Sequence, residues 1–210
     1  MSIRQAMLAL LGPGPMYGYQ LRAEFEQRTG ATWPLNVGQV YTTLNRLERD
    51  GLVEHVDGSG ADDAADQTGQ GAAQVRYRIT ASGRGEVSTW FTTPVPRTQP
   101  PRDELAIKLA IAVTLPGVVN VGALIQQQRT ATMTALQDYT RLKRSGRASR
   151  PDQPEDLAWS LVLDSLVFDA EAEIRWLDHC EARLRRAAIE GQLHTPTRPT
   201  RAPDEEEALS

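Results

Sequence analysis

The sequence predicts a mostly α-helical protein with one small β-hairpin, and three observations support this fold class. The 210 residues are 40% hydrophobic and 24% charged, which is typical of a globular chain of one large or two small domains. Apolar residues recur at helical spacing along much of the chain. Two short segments of alternating apolar and polar residues flank a stretch rich in glycine, alanine and aspartate, as expected for a hairpin with a long tip.

Three short helices are predicted before the hairpin. The first two span 3–11 and 17–29, and the intervening sequence GPGP must break the chain because proline and glycine disfavour a helix interior. Asn36 is a suitable N-cap for the third helix, which should stop at Gly51. One face of this third helix is apolar and should meet a core; it consists of Val37, Val40, Leu44 and Leu47.

The hairpin strands are predicted at 52–56 and 74–79, and the composition of the tip between them predicts disorder. Thr80 can then cap a fourth helix that runs to about Phe91. Three helices, a hairpin and a fourth helix within 1–92 form the order of a winged helix-turn-helix. In that fold the third helix enters the major groove of DNA.

The second half of the chain predicts a helical dimerisation and effector domain. A proline-rich linker over 93–102 leads to a helical domain over 103–191, and the tail 192–210 has a composition typical of disorder. Its helices are expected at 103–114, 121–144 and 155–190. The last helix is apolar nearly all round at its start, and its later apolar residues recur at close to heptad spacing. A symmetric homodimer is the economical way to cover this surface.

The polar face of the third helix is the main functional signal. It carries amides, a hydroxyl and guanidinium groups where a solvated face usually carries Glu and Lys. Such side chains read base edges, and Arg is the commonest reader of guanine. A merely solvated face is the alternative interpretation.

Three segments carry a family resemblance: LALLGPGPMYGYQL, GQVYTTLNRLERDGLVE and RYRITASGRGEVSTWF. Together they resemble the PadR family of bacterial transcriptional regulators, closely over 1–92 and more weakly through the helical C-terminal half. The resemblance implies a regulator, of the repressor kind common in the family, that responds to aromatic or drug-like compounds. Thr42 stands where many members carry proline, and the hairpin tip is longer than usual.

Further predicted contacts hold the DNA backbone. The start of the second helix suits phosphate contact, and Arg76 and Arg78 share one face of the second hairpin strand. Tyr41 lies between the two faces of the third helix, where it either reaches a phosphate or only packs. The predicted DNA contacts are Tyr19, Gln20, Asn36, Gln39, Tyr41, Thr42, Asn45, Arg46, Arg76 and Arg78.

Charge gives no global DNA-binding signature, because the net charge is −4 and the isoelectric point is near 5.5. Any double-stranded DNA partner must therefore be bound by a local surface. Within 1–92, four aspartates lie in the hairpin tip, and the remaining residues carry more arginine than acid.

No motif indicates catalysis, a cofactor or a metal. The three histidines lack metal-ligand spacing, the single Cys180 excludes an internal disulfide, and no segment suits a leader or a membrane span, so a cytoplasmic protein is expected. Trp159 and Trp176 are the candidates to contact a small apolar effector. The alternatives to a DNA-binding regulator are a winged-helix protein that binds another protein, and an enzyme or ligand-storage protein.

Overall fold

A computed structural model describes residues 2–56, 75–96, 103–115, 117–145 and 153–191. It confirms a mostly helical fold with a small antiparallel sheet. The hairpin tip 57–74, much of the linker and the tail 192–210 lie outside the described residues. The elements are α1 (Ser2–Leu10), β1 (Met16–Tyr17), α2 (Gly18–Thr29), α3 (Val37–Arg49), β2 (Val53–Val56), β3 (Arg76–Ile79), α4 (Ala81–Thr92), α5 (Glu104–Val113), α6 (Val121–Arg144) and α7 (Pro154–Ile189).

The sheet has three strands in the order β1-β3-β2, one more than the predicted hairpin. β3 pairs with β2 through Val53 and Ile79, and with β1 through Met16 and Tyr77. The prediction that α2 begins at Tyr17 was wrong by one residue, because Tyr17 belongs to β1 and caps α2. A strand of two residues leaves no alternating pattern, so the sequence carries no signal for it.

The chain divides into two compact units, residues 1–100 with 139–166, and 101–138 with 167–210. The core of the first unit joins α1, α2, α3 and the sheet. Val40, Leu44 and Leu47 are buried there as predicted, whereas Val37 is 54% exposed because it is the first residue of α3 and lies at the helix end. The rest of this core comprises Met7, Leu8, Leu11, Leu21, Phe25, Leu35, Leu52, Val53, Tyr77 and Ile79.

The second unit packs α5, α6 and α7 around Leu109, Ile125 and Leu177. Beside this core, the Arg129 guanidinium lies 2.7 Å from carboxylate oxygens of both Asp178 and Glu181. The hydrogen bond from Arg129 is the main reason that the pKa of Glu181 is lowered. These ion pairs fix the register of α7 against α6.

The start of α7, which is apolar nearly all round in the sequence, is only partly covered in the single chain. Leu163 is fully buried, but Leu157, Leu161 and Phe168 are more than half exposed. These three side chains share one face of the helix, since they follow one another at intervals of four and seven residues. The face is thus apolar surface without a partner in the described part of this chain.

Candidate nucleic-acid interface

The polar face of α3 is set by the way the helix begins. The side-chain oxygen of Asn36 accepts a hydrogen bond from the Gln39 backbone N–H at 2.7 Å, which confirms Asn36 as the N-cap. In return the Gln39 side-chain oxygen accepts from the Asn36 N–H at 3.3 Å, so that the two form a reciprocal capping box. Burial of the apolar stripe leaves Thr42, Asn45 and Arg46 exposed on the outer face.

The capping box decides what Asn36 and Gln39 can offer to DNA. Their carbonyl oxygens already serve the first turn of α3, so their side-chain N–H₂ groups are the atoms that can donate to a base or a phosphate. Asn45 lies in the middle of the helix and can use both its donor and its acceptor. The face therefore combines several hydrogen-bond donors with one amide, that of Asn45, which can both donate to and accept from adenine.

Tyr41 fills the space between α3 and the start of α2. A Cβ placed on Gly18 would lie 3.0 Å from Cε1 of Tyr41 and 3.3 Å from its hydroxyl oxygen, so glycine at this position leaves room for the ring. Tyr41 remains 42% exposed. Its ring packs beside the first turn of α2, and a phosphate contact through its hydroxyl stays a prediction.

Two tyrosine rings are stacked at the start of α2, and an arginine of β3 lies over one of them. The rings of Tyr17 and Tyr19 are stacked, with centroids 5.5 Å apart, and the Arg76 guanidinium lies 5.6 Å from the Tyr17 ring centroid. Tyr19 is 58% exposed, whereas the Gln20 side-chain oxygen accepts a hydrogen bond from the Tyr17 N–H at 2.9 Å. Gln20 thus acts in capping α2, and Tyr19 presents the exposed ring.

Arg76 and Arg78 occupy the same side of β3, as their parity predicts, but their surroundings differ. Arg76 is half-buried; it donates to the Pro15 carbonyl at 3.4 Å, and its Nε atom is buried without a hydrogen-bond partner. Arg78 is exposed and lies 2.7 Å from Glu54, directly across the β2–β3 pair. The Glu54 carboxylate therefore compensates the charge of Arg78.

Arg4 holds the C-terminal end of α3, and no pattern in the sequence singles it out. Its guanidinium bridges Asp50, the C-cap of α3, at 3.1 Å and Glu86 on α4. Burial alone would lower the pKa of Arg4, but hydrogen bonds to Glu86 and Asp50 outweigh this effect and raise it. The arrangement joins residues far apart in sequence, so only the folded chain reveals it.

The two tryptophans predicted to contact an effector lie in separate units. Trp159 is half-buried in the first unit and packs on Gly30, and Trp176 packs partly buried against the core of the second. The second unit also holds a mostly apolar cavity of about 380 Å³, and neither tryptophan lines it. Its lining includes Val119, Gly122, Ile125, Leu184 and Arg185.

Within the described ranges, no helix has the length and apolarity needed to cross a bilayer. In the same part of the chain, no group of three or more His, Cys, Asp and Glu side chains is placed to hold a metal ion.

Helices α1 to α3, the sheet and α4 define a winged helix-turn-helix, the fold of many DNA-binding regulators. Residues 7–89 match the model of the Transcriptional regulator PadR-like family, and residues 101–185 match that of Virulence activator alpha C-term. The N-terminal part of the chain is thus PadR-like, and its C-terminal part is similar to the C-terminal part of a virulence activator. The family resemblance seen in the sequence is confirmed.

Two relatives show how far the similarity extends. The negative transcriptional regulator PadR of Bacillus subtilis (strain 168) is 24% identical over 180 residues, which cover 84% of this chain and 93% of that protein. Its crystal structure with operator DNA matches with a TM-score of 0.60 at 20% identity, over 92% of this chain and 100% of that one. Its crystal structure with p-coumaric acid matches with a TM-score of 0.61 at 21% identity, over 88% of this chain and 99% of that one.

The second relative is the Vibrio cholerae virulence activator AphA, with a TM-score of 0.59 at 23% identity, over 88% of this chain and 98% of that one. At these identities the structural matches establish the fold. The curated relative and the PadR-like model are those of transcriptional regulators and not of enzymes, as predicted for this chain.

Proposed function

We propose that the chain is a dimeric, sequence-specific DNA-binding regulator that represses transcription and is released by a small apolar ligand. One observation carries the DNA-binding part of this proposal. The exposed face of α3 presents Thr42, Asn45 and Arg46 outward from the third helix of a winged helix-turn-helix. Because such a helix fits the major groove, these side chains can reach base edges.

The relatives support each part of the proposal to a different extent. PadR of Bacillus subtilis has been solved with operator DNA and with p-coumaric acid, and it is a negative regulator. These properties belong to that protein and motivate DNA binding, repression and ligand release here. AphA is an activator, so repression in this chain rests on the curated PadR relative.

The homodimer is proposed from unpaired apolar surface. Leu157, Leu161 and Phe168 form an exposed face on α7, and a second copy of the chain can cover it. Two copies also double the number of cationic contacts, which each module alone offers sparingly. We keep the predicted division into a DNA-binding domain over 1–92 and a dimerisation domain over 103–191 as part of this proposal.

The test is a titration of inverted-repeat duplexes, selected from random sequence by the protein itself, at one fixed salt concentration. Arg46→Ala should reduce the preference for the selected site by about 1–3 kcal/mol if Arg46 reads a guanine. Arg84→Ala removes the same charge from the exposed surface of α4 and should leave that preference unchanged. Unchanged discrimination in Arg46→Ala would show that the recognition face has been misassigned.

Binding of another protein through the same face is the second candidate, and the net charge of −4 favours it. A winged helix that contacts a protein does not need a positive surface. The two functions separate in the selection step, because a protein-binding module enriches no duplex above the level of random sequence.

A further inference from the structure

An indole from α7 covers the C-terminal end of α2. Gly30, which caps α2, has φ 57° and ψ 31°, in the left-handed region. The six-membered ring of Trp159 lies where a side chain on Gly30 would be, so a Cβ there would overlap Cε3, Cδ2 and Cζ3 of the indole. Glycine is thus required at residue 30 for two separate reasons, its backbone conformation and the closeness of the ring.

The contact is made at the turn that leads into α3. Ala31 also has a positive φ, of 55°, and its N–H donates to the Glu26 carbonyl at 2.8 Å. Two consecutive left-handed residues therefore set the direction in which the chain leaves α2. An alanine tolerates this conformation only when its surroundings enforce it. The Trp159 ring packs directly against the first of these two residues.

The first turn of α7 also lies close to the connection between α2 and α3. Pro154 occupies the first position of α7, where its fixed φ suits a helix start. Glu155 lies 3.7 Å from Arg28, in the last turn of α2. Because this ion pair is partly exposed it contributes little by itself. The packing of the Trp159 ring on Gly30 is a second contact between the start of α7 and the end of α2.

α7 is one continuous helix of 36 residues, and it belongs to the first unit up to Leu166 and to the second unit beyond it. The exposed face proposed for the dimer begins within the first unit, at Leu157 and Leu161 on the first turns of α7. We propose that Trp159 and Gly30 form a steric seat that fixes the direction of these first turns relative to the α2–α3 turn, and so selects the half-site spacing that the dimer accepts. This inference rests on the proposed function, and it makes Trp159 a positioning residue.

The first test measures the seat without DNA, by a double-mutant cycle in chemical unfolding. Gly30→Ala should destabilise the protein strongly, and its cost should shrink in a Trp159→Leu background because the clash is gone. Gly51→Ala is the matched control, since Gly51 also has a positive φ, of 73°, but nothing lies near the position of its Cβ. Its cost should be the same in both backgrounds.

The second test measures DNA affinity for a series of duplexes in which the two half-sites are moved apart one base pair at a time. The wild type should prefer one spacing, because each base pair rotates the second half-site around the helix. In Trp159→Leu the ratio of best to second-best affinity should fall by about fivefold or more, within the usual range of couplings between sites. Trp159→Phe keeps a ring over Gly30 and should retain the wild-type preference.

Each other outcome has a definite meaning. Additive costs for Gly30→Ala and Trp159→Leu would show that no seat exists, and an unchanged spacing profile in a folded Trp159→Leu would reduce the contact to ordinary packing; either result overturns the inference. If the wild type binds none of the duplexes, the proposed function fails and the spacing statement with it. The double-mutant unfolding cycle uses no DNA, so it still shows whether the contact between Gly30 and Trp159 exists when DNA binding fails.

Discussion

Several polar side chains of the candidate interface serve the fold as well as the surface. Asn36 and Gln39 use their carbonyl oxygens to cap α3, and Gln20 does the same for α2. The Asn-x-x-Gln spacing of the α3 cap is visible in the sequence and is a known capping pattern. Sequence reasoning identified Asn36 as the cap and treated Gln39 only as a base-reading side chain, so it missed the reciprocal bond.

Residues whose partners are distant in sequence could not be predicted. Arg4 meets Asp50 and Glu86 only after α1, α3 and α4 have packed together. Arg76 was predicted to contact the DNA backbone from the second hairpin strand, and its stacking on Tyr17 depends on the unpredicted strand β1. The residue types were therefore readable from the sequence, whereas their contacts required the fold.

Arg76→Ala should weaken specific and nonspecific DNA alike if the guanidinium contacts a phosphate from its stacked position. Loss of one phosphate contact lowers the magnitude of the slope of log affinity against log salt by about 1. Arg78→Ala should change this slope less, because Glu54 already compensates the charge of Arg78. The measurement is a salt series of titrations for the wild type and both variants.

An unchanged salt slope in Arg76→Ala would assign Arg76 to the support of Tyr17 and Tyr19 alone. Arg76→Lys distinguishes the two roles further, since lysine keeps the positive charge but lacks the planar group that stacks on tyrosine. A normal slope with weaker affinity in that variant would indicate that both roles operate.

At the scale of elements, local signals were sufficient for most of the fold. The apolar stripe of α3, the cap at Thr80 and the alternation in β2 and β3 were each contained in a few consecutive residues. The same signals did not show where α7 docks, because its first turns meet Gly30 through a contact between distant segments. The types of all elements except β1 were thus predictable, whereas their placement was not.

Asn36→Ala should lower the free energy of unfolding by about 1 kcal/mol, the usual cost of removing an N-cap side chain. The loss arises because the Gln39 N–H and the first turn of α3 lose their acceptor. Urea unfolding followed by far-UV circular dichroism, without DNA, provides the measurement. Asn45→Ala is the control, since Asn45 is exposed in the helix interior, and it should leave stability nearly unchanged.

Equal stability of Asn36→Ala and the wild type would mean that solvent satisfies the first turn of α3 as well as the side chain does. The capping box would then be dispensable for the fold, and Asn36 would be available in full for a DNA contact.

At the scale of the whole molecule, the proposed release from DNA by a ligand requires two states of the protein. A ligand changes DNA affinity only if it binds one state more tightly than the other. The second unit offers a mostly apolar cavity of about 380 Å³, within the usual size range for small-molecule sites. Glu181 and Arg185 at this cavity provide polar groups that can orient a planar compound carrying a charged or hydroxyl group.

A panel of planar apolar compounds should therefore quench tryptophan fluorescence and weaken DNA binding together. Trp176 packs against the core cluster that includes Ile125, a residue lining the cavity, so Trp176→Phe should lose most of the quenching. Gly122→Leu places a side chain at the cavity lining and should abolish the effect on DNA, whereas Ala123→Leu, at the next exposed residue, which does not line the cavity, should preserve it. Quenching that survives Trp176→Phe would exclude that residue, and saturation by ligand without a change in DNA affinity would contradict release by a ligand.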